Sequence, residues 1–204
     1  MGEKKEVEVW DVLVRLFHWS LVISFFIAYF TADEENIWHI YAGYTVLALI
    51  CFRLIWGFIG TRHARFIDFV YSPKTVIQYL KELLTKHPKH YLGHNPAGGW
   101  MVILLLISLF VVSVSGLKIY AIEEGKGPLA DSNKITLISQ SYADDDEDEE
   151  HENEEEEFWE EIHEASTNFT LLLIFLHIVG VILASKLHNE NLIKSMISGK
   201  KIID

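Results

Sequence analysis

The sequence predicts an all-α integral membrane protein, a bundle of four spanning helices. Half of its 204 residues are hydrophobic, 13% are aromatic, and the mean hydropathy is +0.19. The apolar residues are gathered into four segments, and each is long enough to cross a hydrocarbon core, which takes about 20 residues of helix. Most charged residues lie between these segments. This pattern is typical of a helical membrane bundle.

The first two predicted spans run antiparallel because only a short polar turn joins them. They cover residues 12–30 and 37–59, and the turn carries three acidic residues. Residues 60–95 then form a hydrophilic, basic loop. Within it, Ser72-Pro73 predicts a helix start, since serine caps a helix and proline suits its first position. The apolar residues that follow have helical spacing and predict an amphipathic helix on the membrane surface.

The third and fourth predicted spans flank a long acidic loop. Proline is tolerated at a helix start, so Asn95-Pro96 opens the third span at residues 97–119. Residues 120–158 form the loop, and the fourth span covers residues 159–185. Within the loop, residues 144–157 are almost all aspartate or glutamate. Such a run of like charges is predicted to be mobile.

The distribution of lysine and arginine predicts the orientation of the chain. The N-terminal segment, the loop of residues 60–95 and the C-terminal tail are basic, whereas the other two loops are acidic. Both termini are therefore expected in the cytoplasm, with the acidic loops in the periplasm. The net charge of -12 is concentrated in one run. We expect no nucleic-acid partner.

Four histidines lie at two matched depths in the predicted spans. His18 is about six residues, or roughly 9 Å, inside the cytoplasmic end of the first helix, and His177 lies at a similar depth in the fourth. His39 and His163 both begin spans at the periplasmic surface. On the fourth helix, His163 and His177 are fourteen residues apart, which is about 21 Å along nearly the same face. The histidines therefore sort into two cross-helix pairs.

Such imidazole pairs indicate two haems b, because intramembrane ionisable groups are costly and usually functional. Haem b takes two axial imidazoles, and facing helices of a bundle supply them. One alternative is that each histidine is an interfacial or hydrogen-bonded core residue. Another is zinc, although neither level offers a third or fourth ligand. Cys51 is the only cysteine, which excludes an internal disulfide and covalent C-x-x-C-H haem attachment.

Other residues near these histidines allow two interpretations each. Gly43 follows His39 by four positions and Gly180 follows His177 by three, so either glycine can admit a flat ring or simply serve helix packing. Arg53 lies in the cytoplasmic half of the second span. Its guanidinium can bind a haem propionate or extend to lipid phosphate.

Several motifs resemble the bacterial cytochrome b561 family, which includes the b-type cytochrome subunits of nickel-iron hydrogenases. The motifs occur in all four spans: Trp10-Asp11 to His18-Trp19, Trp38-His39 to Gly43-Tyr44, Arg53-x-x-Trp56-Gly57-Phe58-x-Gly60, Gly93-His94-Asn95-Pro96, His163-Glu164 and Leu176-His177-x-x-Gly180-Val181. The resemblance implies a multi-pass protein of the bacterial inner membrane. It also implies two non-covalent haems b and electron transfer between the quinone pool and a second redox partner, such as a c-type cytochrome or a hydrogenase-like subunit.

The resemblance assigns roles to individual residues. His18 and His177 are the implied ligands of the cytoplasmic-side haem, and His39 and His163 those of the periplasmic-side haem. A more distant resemblance to formate dehydrogenase cytochrome subunits implies that Asn95 borders a quinone site. A turn and helix cap is the alternative for His94 and Asn95.

Other functions remain open at this point. The periplasmic-side haem can oxidise superoxide and pass the electron to quinone, and a non-redox transporter or anchor subunit is the alternative without haem. No catalytic side-chain arrangement is evident, so enzyme activity is left undecided. The acidic run can attract a basic electron carrier, bind calcium weakly, or be a solvated insertion.

Overall fold

The computed structural model is mostly helical and describes residues 5–32, 36–85, 89–130 and 145–203. Four helices are long and apolar enough to cross a membrane. This confirms the predicted four-helix membrane fold. In chain order the elements are β1 (Lys5–Glu8), α1 (Val12–Phe30), α2 (Ile37–Ile59), a 3-10 turn (Phe66–Asp68), α3 (Pro73–Leu84), α4 (Pro96–Glu124), α5 (Asp145–Leu187), α6 (Leu192–Ser198) and β2 (Lys200–Ile203).

The last two long helices extend beyond the predicted spans, into both ends of the expected loop of residues 120–158. Helix α4 continues to Glu124, and α5 begins at Asp145, with its apolar span starting at Glu154. Asp144 lies outside the described residues. The rest of the acidic run is helical because glutamate is a good helix former and acidic residues are stabilised at a helix N-terminus. The acidic run therefore extends the fourth spanning helix.

The chain divides into two compact units, residues 1–106 with 172–204 and residues 107–171. In the first unit, α1 packs beside α2. The buried side of α1 includes Phe25, and that of α2 includes Val46 and Ile50. Many other apolar side chains of these helices are exposed. Outward-facing apolar residues are expected where lipid replaces water as the solvent.

Asp11 ties the start of α1 to the end of α2. Its carboxylate caps α1 by accepting a hydrogen bond from the Val14 backbone N–H at 2.8 Å, and it also accepts one from the Trp56 indole at 3.3 Å and one from the Thr61 hydroxyl. Burial acts to raise the pKa of Asp11, but the hydrogen bonds, led by that from Thr61, outweigh burial and hold its pKa below the usual value. Asp11 therefore stays ionised and keeps the two helix ends together.

The two ends of the chain form a terminal clasp, made of β1, β2, Glu190 and Lys201. The strands are antiparallel, with Glu8 opposite Lys200. The side chain of Lys201 is only 4% exposed and forms an ion pair of 3.2 Å with Glu190. Glu190 also contacts the His90 ring at 2.7 Å. The clasp therefore joins both termini to the segment that precedes α4.

The clasp predicts a large stability loss for Glu190→Gln. This substitution leaves the Lys201 ammonium buried without a carboxylate, so we expect the free energy of unfolding to fall by about 3 kcal/mol. Thermal unfolding in detergent, followed by circular dichroism, measures the change. Lys200→Gln is the control, because it breaks only the exposed Lys200–Glu6 pair and should cost less than about 1 kcal/mol. Equal losses would contradict the stabilising role of the buried pair.

Candidate functional site

His18 on α1 and His177 on α5 face each other within the first unit. Their ring centroids are 6.5 Å apart and their planes are inclined at 51°. An imidazole nitrogen binds a transition metal at about 2 Å and the ring centroid lies about 1 Å farther out, so two axial imidazoles place their centroids about 6 Å apart. The spacing of His18 and His177 therefore fits one metal between them.

The Nδ1 atom of His18 supports a bound group at this position. It is buried and has no hydrogen-bond partner among the described residues. Leaving a buried polar atom unsatisfied costs about 1–3 kcal/mol, so such atoms call for a physical reason. Metal ligation through this nitrogen would supply that reason. The sequence-predicted pair thus meets in a setting that suits haem ligation.

His39 and His163 are each held by a backbone carbonyl. His39 Nδ1 lies 2.9 Å from the Ala28 oxygen, and His163 Nδ1 lies 3.0 Å from the Val112 oxygen. When Nδ1 donates its proton to a carbonyl, the lone pair is on Nε2, which is the arrangement commonly found in metal-binding histidines. His39 belongs to the first unit and His163 to the second. Their pairing with each other stays a prediction.

Two residues that the sequence did not single out shape the surroundings of His163. The Ser115 hydroxyl is buried and lies 3.0 Å from His163 Nδ1. A Cβ added to Gly116 would lie 3.0 Å from His163 Cε1, so only glycine leaves the ring its full space. The sequence shows that the apolar helix α4 contains small residues such as these. It does not show that they lie beside His163, because that depends on the rotation of α4 about its axis, which spacing along the chain does not fix.

Gly43 and Gly180 border open space. A Cβ added at either position would meet no atom within 4 Å. Tight helix packing at these glycines would place neighbouring atoms in that space. Neither glycine is therefore in close helix packing within the described residues, and the interpretation that they admit a flat ring stays a prediction.

Arg53 turns inward to the loop after α2. The residue is 3% exposed, its Nη2 donates to the Ala64 oxygen at 2.9 Å, and its guanidinium lies 4.9 Å from the centre of the Phe66 ring. This burial excludes the alternative in which Arg53 extends to lipid phosphate. Its Nη1 is buried without a partner among the described residues. One donor of the guanidinium therefore remains suited to an anionic group such as a haem propionate.

Asn95 caps α4, as the helix-cap alternative predicted. Its side-chain oxygen accepts a hydrogen bond of 2.7 Å from the Gly98 backbone N–H. The neighbouring His94 ring lies 4.6 Å from Trp10 and 4.5 Å from Phe69. Its Nδ1 is buried and unpartnered within the described part of the chain. Burial, aided by the charge of Arg53, lowers the pKa of His94 to about 3, so its ring is neutral.

A cavity of about 200 Å³ lies beside His94 in the first unit. Its walls combine aromatic and ionisable side chains, namely Arg62, His63, Asp68, Phe69, Tyr71 and Tyr91. Burial, followed by the charge of Arg62, lowers the pKa of His63 as well. The cavity is smaller than the roughly 300–1,000 Å³ of pockets that enclose whole ligands. Its walls offer aromatic faces together with the ring nitrogens of His63 and His94.

Three glutamates cluster in the second unit. One carboxylate oxygen from each of Glu123, Glu156 and Glu160 lies within 4.8 Å of the others. Nearby, Lys118 pairs with Glu155 at 3.8 Å. Exposed acidic groups commonly lie together without an ion. The cluster therefore does not by itself support the alternative that the acidic run binds calcium.

Comparisons with known proteins identify the family of the chain. Residues 9–199 match the family model described as prokaryotic cytochrome b561. A probable Ni/Fe-hydrogenase B-type cytochrome subunit of Rhizobium leguminosarum bv. viciae is 24% identical, with 98% of this chain and 90% of the relative covered. The protein of the same description from Azotobacter chroococcum mcd 1 is 32% identical, with 61% and 64% covered. No solved structure matches the chain. The chain belongs to the prokaryotic cytochrome b561 family of membrane b-type cytochromes, which take part in electron transport.

Proposed function

We propose that this chain is a di-haem b561 cytochrome that transfers electrons between the quinone pool and a second redox partner. Membership of the family implies haem b. The observation that carries the proposal is the 6.5 Å separation of the His18 and His177 rings. Haem, when bound, supplies one-electron redox chemistry, and the protein sets its orientation, burial and ligation.

In this proposal, His18 and His177 hold the haem on the predicted cytoplasmic side. Both lie in an apolar part of their spans, which suits a macrocycle. The unpartnered Nη1 of Arg53 binds a propionate, because a buried guanidinium donor is best satisfied by an anion. Arg53 is already fixed by Ala64 and Phe66. The protein therefore offers two axial ligands and one pre-positioned anion-binding group.

His39 and His163 hold the second haem, on the predicted periplasmic side. Support comes from their Nδ1 contacts with backbone carbonyls, which orient each ring and direct the lone pair to Nε2. His163 and His177 are fourteen residues apart on α5. That separation corresponds to about 21 Å along the helix. His163 and His177 would therefore hold redox groups at two depths of the membrane, where haem would supply one-electron chemistry.

Replacement of single histidines tests the ligand assignment. We expect His18→Ala and His39→Ala each to remove one of two haems and to spare the other, because each pair holds its haem separately. Haem content per protein, measured by the pyridine haemochrome assay, records the change. His188→Ala, beyond the end of α5, is the control and should retain both haems. Colourless wild-type protein, expressed with ample haem, would reject the whole proposal.

Gly116→Ala tests the surroundings of His163 more gently. The added methyl group would lie 3.0 Å from His163 Cε1, so the ring must shift by a few tenths of an ångström. We expect the redox potential and paramagnetic resonance signal of one haem to change, while those of the other stay constant. Val111→Ala, at an exposed position of the same helix, is the control. An unaltered signal in Gly116→Ala would count against ligation by His163.

The quinone headgroup is proposed to enter the cavity beside His94. The aromatic walls can stack on a quinone ring, and a neutral imidazole can donate to its carbonyl oxygen. The side-chain oxygen of Asn95 already accepts the capping hydrogen bond of α4, so its amide nitrogen is the group that can contact quinone. Its helix cap and its predicted place beside a quinone are therefore compatible.

His94→Phe tests this cavity, because phenylalanine keeps the ring contacts with Trp10 and Phe69 but removes the donor. Losing one hydrogen bond to quinone should slow quinol-dependent haem reduction about tenfold. Stopped-flow absorbance measures that rate, and complete reduction by dithionite shows that both haems remain. His188→Phe is the control outside the cavity. A wild-type rate in His94→Phe would place quinone elsewhere.

A hydrogenase is the partner that the relatives favour, since both carry the name of a hydrogenase cytochrome subunit. The helical acidic run suggests a basic carrier, such as a c-type cytochrome, as a second partner. Glu154, Glu155 and Glu157 are exposed at the start of the apolar span of α5. A patch of one charge attracts an oppositely charged protein and raises its association rate, most strongly at low salt.

Changing these three glutamates to glutamine tests the attraction and preserves the helix, which a deletion would shorten. We expect the association rate with a basic cytochrome to fall about tenfold at low ionic strength and to depend less on salt. Stopped-flow measurements over a salt series record both effects. Changing the acidic residues Glu6 and Glu8 to glutamine is the control on the terminal strands. An unchanged rate and salt dependence would reject docking at the acidic helix.

A further inference from the structure

Helix α3 carries an exposed apolar stripe, formed by Ile77 and Leu80. These side chains are 54% and 48% exposed, whereas Tyr79, on another face of the helix, is 2% exposed. Residues three apart lie on the same side of a helix, so Ile77 and Leu80 form one continuous surface. Helix α3 therefore has two apolar faces. One face packs on the protein, and a second apolar face points outward.

Basic residues border this stripe. Lys74 and Lys81 are exposed and lie three positions before and four positions after Ile77. Neither forms an ion pair with any carboxylate of the described residues. The nearby Arg65 differs, because Asp68 neutralises it at 3.0 Å. The stripe thus combines outward apolar side chains with two uncompensated positive charges.

The segment before α3 is attached to the end of a spanning helix. The Phe66 ring packs against the Phe58 ring of α2 with centroids 5.6 Å apart. Phe58 is 74% exposed, and Ile67, next to Phe66, is 86% exposed. Outward-facing apolar residues at the end of a membrane span meet lipid. The loop that leads into α3 therefore begins at the membrane boundary.

We propose that α3 binds anionic phospholipid at the membrane surface. Ile77 and Leu80 enter the acyl region, and Lys74 and Lys81 bind headgroup phosphates while their methylene chains lie along the boundary. Charge decides the partner, because two unpaired lysines beside an apolar stripe match the negative surface of a lipid leaflet. The proposal does not depend on haem or quinone.

A fluorescent probe on α3 tests this proposal in the full-length, haem-loaded protein. Cys51 is the only native cysteine, so Cys51→Ala allows an environment-sensitive dye to be placed at Ile77→Cys, at Leu80→Cys or at the exposed control position Gln78→Cys. The protein is reconstituted into nanodiscs of phosphatidylcholine with increasing phosphatidylglycerol. We expect blue-shifted emission, quenched by spin-labelled lipid, at positions 77 and 80 but not at 78. The native haem spectrum confirms folding of each variant.

The lysines provide the second arm of the experiment. Lys74→Gln and Lys81→Gln should each raise the phosphatidylglycerol fraction needed for half-maximal quenching at position 77 about fivefold. Water-like emission at positions 77 and 80 in every lipid mixture would overturn the proposal. Blue-shifted emission that lipid quenchers do not reach, or that ignores both lysines, would also overturn it and would indicate a protein partner on this face.

Discussion

The fold and the candidate site both depend on one constraint, namely that each side-chain nitrogen inside the apolar spans needs a partner. No water in the hydrocarbon core can satisfy a polar side chain, so each must find a partner within the protein or bind a ligand. His39 and His163 are held by backbone carbonyls, whereas His18 Nδ1 has no partner within the described residues. The His18 and His177 rings approach each other to 6.5 Å, which is the spacing that the proposed haem requires.

The loop between α2 and α4 shows how the same constraint builds a site outside the spans. Arg53 is fixed by the Ala64 carbonyl and Phe66, and Asp11 is fixed by Thr61 and Trp56. These contacts hold the loop against the ends of α1 and α2, where it forms the walls of the cavity beside His94. The contacts that stabilise the loop therefore also shape the cavity that a flat headgroup would enter.

Much of the candidate site followed from helix periodicity. The rise per residue sets the depth of each histidine, so the spacing along the chain is enough to pair His18 with His177, and the fold brings their rings together. The sequence did not reveal Gly116 or Ser115 as neighbours of His163, because helix rotation decides which small residue faces a given ring. The direction of the Arg53 side chain was open for the same reason, since both lipid and the protein interior were within its reach.

The number, order and approximate length of the spans follow from the sequence alone, because the thickness of the membrane and the hydrophobicity of about 20 residues decide them locally. Tertiary structure decided the details that depend on distant residues. The terminal clasp joins Lys201 to Glu190 and pairs the two ends of the chain. The inward turn of Arg53 and the cavity beside His94 likewise exist only after separate segments pack. Such contacts depend on how elements meet in space, which no local pattern encodes.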